Sequence, residues 1–555
     1  MILTFLVLLT PSAVLAIKKP PHVIFIVAGR CVYIKQQNVL SARGLDAYEP
    51  VPLDSAVSIS YLKTNHRDVL REHLRSRLQR DCYVSQGWAD TSLVGGYQVP
   101  TPNLDALAAH GLLLTQHYSL HTCTPSRAAI MTGLYPIRMG LQHDVLIPAQ
   151  EGGMDPKIPT LAERLKSLGY KTHGLGKWHL GYSSVELTPT RRGFDTFFGY
   201  YNTAKYYFTQ GLNFYNICGR DFWDNEDLVS DADGVYDLDL VTDRAVDILS
   251  RHDTNEPLFM YMATLAAHGQ TDTLTADAPE RNLAKFPYIG DHNRTRLAGA
   301  VDALDESVGR IVEALHRRRM LSNSVIVFTS DNGGMPWGTF SNTGSNWPLR
   351  GVKGTMWEGG IRVPALVWSP LLRSGSRVVM SRPVHLVDWL PTLYSAAGGR
   401  VSHLGDIDGL DLWPALSMAK SDSAAIWPRN EFLINTDSSS GLSAYRDGNY
   451  KLVVISNRTA QTPNPFGHDE LQQHVPTAGG MPEFENEEAA AEHLDRLMKY
   501  VAGLEDPEEA ARPRRWFGSA IRLASEGCGA VLAAGSLSAG FRTAGRGSIL
   551  VRHRT

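Results

Sequence analysis

An α/β fold, a mixed but mostly parallel sheet between helices with a smaller α+β region at the C-terminal end, is what this sequence predicts on three observations. Residues 22–28, 257–263 and 324–330 are continuous apolar runs, as expected of strands buried on both faces. Helix-period segments opened by Thr-Pro and closed by glycine lie between them. Polar groups fall just past the strand ends, His268 after the second run and Asp331-Asn332 after the third, where open α/β sheets gather ligands.

Length and composition bound the rest. A chain of 555 residues supports a large core and two or more domains, and 43% hydrophobic with 20% charged residues is ordinary for a globular protein. A formal net charge of -3 gives no basic bias of the kind nucleic-acid binding calls for. Residues 1–16 are apolar and end in Val14-Leu15-Ala16, which reads as a secretory signal peptide although a basic residue near its start is lacking. No later run is long enough to span a membrane, so the expectation is a soluble, lumenal or secreted chain. Asn293-Arg-Thr and Asn457-Arg-Thr are glycosylation acceptors consistent with that route. The cysteines are Cys31, Cys82, Cys123, Cys218 and Cys528, and their spacing leaves the pairing open.

In chain order, the strand at 22–28 is followed by an atypical segment, 29–85, with an arginine-rich amphipathic stretch at 65–80. It reads either as a surface insertion or as translated intron or alternative exon, and the second is favoured by the family resemblance described below, whose pattern resumes abruptly at Gly87. Residues 101–111 predict a helix with a Thr cap, Pro in its first turn and Gly at its end; 159–169 predict a second, and 170–174 a strand leading to Gly176-Lys177-Trp178-His179. A helix over 297–316 carries Asp302, Asp305 and Glu306 on an expected solvated face. Residues 346–364 form a Gly-rich basic loop, 382–399 include a closing helix, and 444–455 read as a hairpin around Asp447-Gly448. The expected domains are 17–399 and 400–456, with a divergent region, 457–555, in which 483–515 are a solvated helix or tail and the end from 519 has little to fold around.

The chemistry centres on Cys123-Thr-Pro-Ser-Arg127 and the Met-Thr-Gly133 that follows. Pro125 suits a first helical turn and Gly133 a helix stop, so Cys123 should sit at a helix N-terminus whose free N–H groups attract an anion. Taken with Gly176-Lys177-Trp-His179, Ser330-Asp331-Asn332-Gly-Gly334, and Arg350-Gly-Val-Lys353 with Glu358-Gly-Gly360, this resembles the type I sulfatases. The flavour of the motifs, including Gly-Leu-Gln-His143, looks most like the arylsulfatase B group.

That resemblance implies an alkaline-phosphatase-like sulfatase fold and a sulfuric ester hydrolase. Its substrates would be aryl sulfates or sulfated sugars, among them N-acetylgalactosamine 4-sulfates of glycosaminoglycans, met in the lysosome or outside the cell. It implies that a formylglycine-generating enzyme oxidises Cys123 to formylglycine, whose hydrate is the nucleophile. Arg127 and Lys177 would then hold the hydrate's oxygens, His179 would take a proton during elimination, and Lys353 and His268 would contact sulfate and protonate the leaving oxygen. Asp331 and Asn332, with position 123, would bind one calcium ion per chain. The family also places two calcium-binding aspartates after its first strand, where this chain has Gly29 and Arg30. A competing expectation is therefore a secreted sulfatase-like protein without turnover, a sulfated-glycan binder or a defective isoform. A phosphatase of the same fold would use serine or threonine as nucleophile, and Cys123 with Pro125 and Arg127 speaks against it.

Overall fold

Strand β1 (His22–Ala28) lies inside a ten-stranded sheet. In chain order the other strands are β2 (Leu112–Leu114), β3 (Lys171–Lys177), β4 (Thr196–Tyr200), β5 (Trp223–Asp224), β6 (Asp227–Leu228), β7 (Leu258–Thr264), β8 (Ser324–Ser330), β9 (Ala365–Trp368) and β10 (Val378–Met380). They are laid out β10-β2-β9-β8-β1-β7-β3-β4-β5-β6. The strands from β8 to β4 run parallel, whereas β9 and β5 pair antiparallel at either side, giving the expected mixed, mostly parallel sheet. The structure is a computed structural model that describes residues 20–28, 87–214, 217–270, 275–336, 342–372, 378–418, 427–456 and 530–531. The expected signal peptide, the 29–85 segment, Asn457, the 483–515 stretch, and Cys31, Cys82 and Cys528 lie outside the described residues.

The helices used below are α1 (Pro102–Ala109), α2 (Cys123–Thr132), α3 (Leu161–Lys166), α4 (Asp237–Arg251), α5 (His292–Arg317), α6 (Glu358–Ile361) and α7 (Trp389–Ala396). Alternation along β1 explains its unbroken apolar sequence. Val23, Phe25 and Val27 join one core with residues of α2, α3 and α7, while Ile24, Ile26 and Ala28 join another with α1, α4 and α5. Each such fully buried Val, Ile or Phe contributes about 1.5–3 kcal/mol. Only a strand covered on both sides needs apolar residues at every position.

Two local expectations are corrected. Thr101 does not cap α1 with its side chain; its Oγ1 instead accepts from the Ser92 amide at 3.2 Å. The first amides of α1 are taken by Asp305 on α5, which accepts from Asn103 N at 3.0 Å and Leu104 N at 2.9 Å. Asp305 is accordingly buried, 2% exposed, and only Asp302 and Glu306 keep to the outer side, where both pair with Lys285.

A second, antiparallel sheet comprises β11 (Glu431–Asp437), β12 (Leu442–Asp447), β13 (Tyr450–Ser456) and the short β14 (Ala530–Val531), with the expected hairpin at Asp447-Gly448. Its Phe432, Leu433, Tyr445 and Leu452 belong to the same core as Phe25. A buried ionic knot fastens it. Glu358 at the start of α6 receives Lys451 Nζ at 2.9 Å and the Tyr118 hydroxyl at 2.9 Å, and Arg446 donates to that same hydroxyl. Burial pushes the Glu358 carboxyl up, but Lys451, Arg446 and Arg362 outweigh it and hold it at about 2. Lys451→Met is expected to cost about 3 kcal/mol or more, because it strands a buried carboxylate, and Lys451→Met with Glu358→Gln should recover much of that loss in urea denaturation. Since the folded carboxyl is depressed, its contribution is present above its unfolded pKa of about 4.3 and is lost as pH falls through about 2.

Candidate active site

Cys123 opens α2, after Thr122 in extended backbone, with Pro125 in the first turn and Gly133 ending the helix at φ +68. All ten residues of α2 are buried, which its small side chains permit between the sheet and α7. Thr124 ties this turn to two other segments, donating to the His179 carbonyl at 3.1 Å and accepting from Leu146 N at 3.1 Å.

The other site residues arrive from the carboxyl ends of parallel strands, as the topology demands. Lys177 ends β3 and His179 follows it; His268 lies just past β7; Asp331 and Asn332 follow β8 directly, and Asp331 N donates to Ala28 O at the end of β1 at 3.1 Å. Glycine is required where these ends crowd. A Cβ on Gly176, at φ +83, would lie 2.0 Å from the Ala263 carbonyl, and one on Gly333 would lie 1.8 Å from the Gly359 carbonyl. The Asp-Asn-Gly-Gly and Glu-Gly-Gly motifs are thus glycine-rich because they cross in contact. His179 sits at φ +60 and Ala267, next to His268, at φ +67, a costly region for non-glycine residues that functional loops often occupy.

Every residue expected at the site is brought together and buried: Cys123, Arg127, Lys177, His179, His268, Asp331, Asn332 and Lys353 are all at most 1% exposed. Lys353 Nζ donates to Cys123 Sγ at 2.9 Å, and Asn332 Oδ1 lies 3.5 Å from the same sulfur. Lys177 Nζ lies 3.4 Å from His268 Nε2. His268 Nδ1 meets the Gly269 carbonyl at 2.7 Å; a carbonyl only accepts, so the proton is on Nδ1 and Nε2 is an acceptor toward Lys177. By the same logic His179 donates from Nε2 to the Leu146 carbonyl at 2.8 Å, leaving Nδ1, buried beside the Cys123 side chain, as the acceptor of the ring. Burial, reinforced by Lys177, lowers the His179 pKa to about 4, so the ring is neutral and basic at Nδ1.

Arg127 is anchored on the carboxylate of the site. Its Nη2 and Nε donate to Asp331 Oδ2 at 2.8 and 3.2 Å, and its Nη1 donates to the Lys177 carbonyl at 2.9 Å. Burial would lower its pKa, but Tyr261, Asp331 and Cys123 raise it overall, so the guanidinium stays charged. Burial and the Cys123 thiol push Asp331 up, opposed by Arg127, Lys353 and Lys177.

That pairing bears on the expected calcium. The ion takes about six to eight oxygen ligands. Asp331 has one oxygen engaged by Arg127, Asn332 offers one amide oxygen, and the third expected ligand, Cys123, is in contact with the Lys353 ammonium. Among the described residues no group of three or more His, Cys, Asp or Glu is arranged to hold a metal. These residues do not by themselves fit calcium. They do fit a hydrated aldehyde at position 123, whose hydroxyls would meet a donor in Lys353 and acceptors in His179 Nδ1 and Asn332 Oδ1.

Two groups were not legible from sequence. His121, 5% exposed, has its pKa lowered to about 4 by burial, and Asp144 has its carboxyl pushed up to about 7 by burial while facing Lys353 and Cys123 electrostatically. The nearest signal was the Gly-Leu-Gln-His143 run, which Asp144 immediately follows.

The profile of the family described as Sulfatase matches residues 85–399. Arylsulfatase J of Mus musculus is 40% identical over 354 residues, covering 63% of this chain and 56% of that protein. N-acetylgalactosamine-6-sulfatase of Homo sapiens is 32% identical, covering 60% and 63%. Arylsulfatase A of Homo sapiens is 31% identical over 416 residues, covering 70% and 78%. The chain thus spans less than two thirds of the length of the first two relatives. Among solved structures, that of Ps i-CgsB in complex with k-i-k-neocarrahexaose matches with a TM-score of 0.64 at 25% identity, covering 91% of this chain and 96% of that one.

Proposed function

Because the chain belongs to the sulfatase family, we propose that it is built to hydrolyse sulfate esters of sugars, with position 123 as the attacking residue. One observation carries this reading: residues from four distant segments converge on Cys123, with Lys353 Nζ 2.9 Å from its sulfur and a neutral His179 turning the acceptor nitrogen of its ring to it. When formed, formylglycine supplies a hydrate with one hydroxyl to take the sulfonyl group and one to expel it later. Lys353 stabilises charge on the sulfonyl oxygens in a site closed to water, where a single such donor is worth about 3 kcal/mol. His179 accepts the proton at Nδ1. Lys177 holds His268 at Nε2, and together they supply the proton that the leaving oxygen takes. Arg127 holds Asp331, places its charge within reach of position 123, and fixes the floor of the site.

The finer assignment, an arylsulfatase B-like enzyme of glycosaminoglycans in the lysosome or outside the cell, rests on the flavour of the motifs, the apolar N-terminus and the glycosylation acceptors. Of the latter, Asn293 is exposed in the first turn of α5. No helix among the described residues is long and apolar enough to cross a membrane. Named relatives that act on sulfated amino sugars, and a structure holding a carrageenan oligosaccharide, support a carbohydrate ester as substrate.

A second reading, a sulfatase-like glycan binder without turnover, is favoured by the calcium donors: Gly29 and Arg30 replace the aspartate pair, and Arg127 already compensates Asp331. Calcium is proposed only for a form carrying that pair. Mass spectrometry of the Cys123 peptide together with aryl sulfate turnover tests the two readings. The chain as written should turn over slowly or not at all, and aspartates at 29 and 30 with residues 31–85 deleted should raise the rate and make it sensitive to EDTA. Full turnover by the unaltered chain would overturn the second reading, and an unmodified thiol after secretion from a competent cell would overturn the first.

A further inference from the structure

One wall of the site is made by residues 142–146, which the reaction itself does not use. Leu146 holds Thr124 through its amide and His179 through its carbonyl, and Val145 packs in a small apolar cluster with Cys123. The His121 ring, two residues before Cys123, is hydrogen-bonded to the His143 backbone, and Asp144 lies within electrostatic reach of Lys353 and Cys123. On its far side the segment is pinned by the second sheet. Asn435 Nδ2 donates to the Gln142 carbonyl at 3.0 Å, and His143 Nδ1 donates to Asp437 Oδ1 at 2.7 Å.

The His143 side chain is built into this rim while facing outward. It is 53% exposed, whereas its partner Asp437 is 2% exposed. Burial alone would push the Asp437 carboxyl up, but His143, Ser440 and Ser439 hold it well below the usual carboxylate range. The same hydrogen bond, against the effect of burial, raises the His143 pKa, so the ring is an imidazolium in mildly acidic surroundings. With Nδ1 fixed on Asp437, the protonated ring presents Nε2–H beside the Gln142 amide nitrogen, 3.5 Å away; both are donors, so neither satisfies the other and both are left for an acceptor from outside. A charged donor of fixed direction on the rim of a sulfate site is suited to an oxygen anion carried by the same substrate.

Resting on the sulfatase reading of the site, we propose that His143 is a specificity-determining residue. It presents Nε2–H to a second anionic group of the glycan, a carboxylate or a second sulfate on the sugar next to the one bearing the scissile ester. Its positioning residues are Asp437, at the end of β11, and Ser439, in the turn that follows, whose Oγ lies 3.0 Å from His143 Nδ1, so the second sheet takes part in choosing the substrate.

Calorimetric binding to the full-length chain tests this with three disaccharides: monosulfated with a neighbouring carboxylate, the same with the carboxylate reduced to an alcohol, and disulfated. The unaltered chain should bind at least one doubly anionic ligand about tenfold more tightly than the reduced one, which of them identifying the anion. In His143→Ala that ratio should fall to near one; His143→Lys should restore most of it, and Asp437→Asn should lower it. An absent preference in the unaltered chain, or a ratio that survives His143→Ala even if all affinities drop together, would overturn the proposal. A form carrying aspartates at 29 and 30 that shows the predicted preference yet fails to hydrolyse an aryl sulfate would sink the enzymatic reading and leave this one standing.

Discussion

Replacing Cys123 with serine in the form that carries aspartates at positions 29 and 30 is expected to cut sulfate-ester turnover by about a thousandfold or more, with little change in stability. The magnitude follows from removing the nucleophile of a group of residues that act as a unit. The substitution is close in size and keeps an atom that can receive Lys353 and reach Asn332, so these contacts of the sulfur retain a partner. What is lost is the thiol that oxidation to an aldehyde requires. The test also separates the sulfatase reading from its phosphatase rival, because a fold-mate working through a serine hydroxyl would gain from the change. Initial rates on an aryl sulfate and an aryl phosphate, with thermal unfolding measured alongside, decide it. Retained sulfate turnover, or new phosphate turnover above the parent, would mean that position 123 has been assigned the wrong chemistry.

Much of the architecture was legible because burial on both faces leaves few sequence solutions. β1 and β8 match the expected runs residue for residue and β7 is shifted by one, since each position meets one core or the other. The Cys123 helix was legible from Pro125 and Gly133, which act locally. What escaped depends on partners distant in the chain. Nothing near Thr101 announces that Asp305, some two hundred residues on, takes the amides a cap would have satisfied. Glu358 reads as part of a catalytic-looking loop, yet its carboxylate serves Lys451 of the second sheet. Asp144 and His121 have no spacing signal, because their placement comes from how residues 142–146 fold back along α2. Arg127 was recognisable as a site residue, but which anion it meets is a matter of geometry.

That anion is the subject of the largest stability effect expected. Asp331→Ala should destabilise the chain by about 3–5 kcal/mol, the cost of leaving a buried guanidinium without its carboxylate. Arg127 and Asp331 are both 0% exposed, so the guanidinium is far from the bulk solvent that would otherwise compensate the lost oxygens. The Lys177 carbonyl satisfies only one of the guanidinium's donors. Arg127→Met with Asp331→Ala should be less harmful than Asp331→Ala alone, by about 2 kcal/mol, since the stranded charge leaves with its partner. Urea denaturation of the four chains measures that coupling directly. EDTA gives an independent reading: if Arg127 is the cation that compensates Asp331, the unaltered chain should unfold at the same temperature with or without chelator. A chain that loses several degrees on chelation would show that a divalent ion, held partly by groups outside the described residues, shares Asp331 with Arg127, and the additive cost of the two substitutions would then replace the predicted coupling.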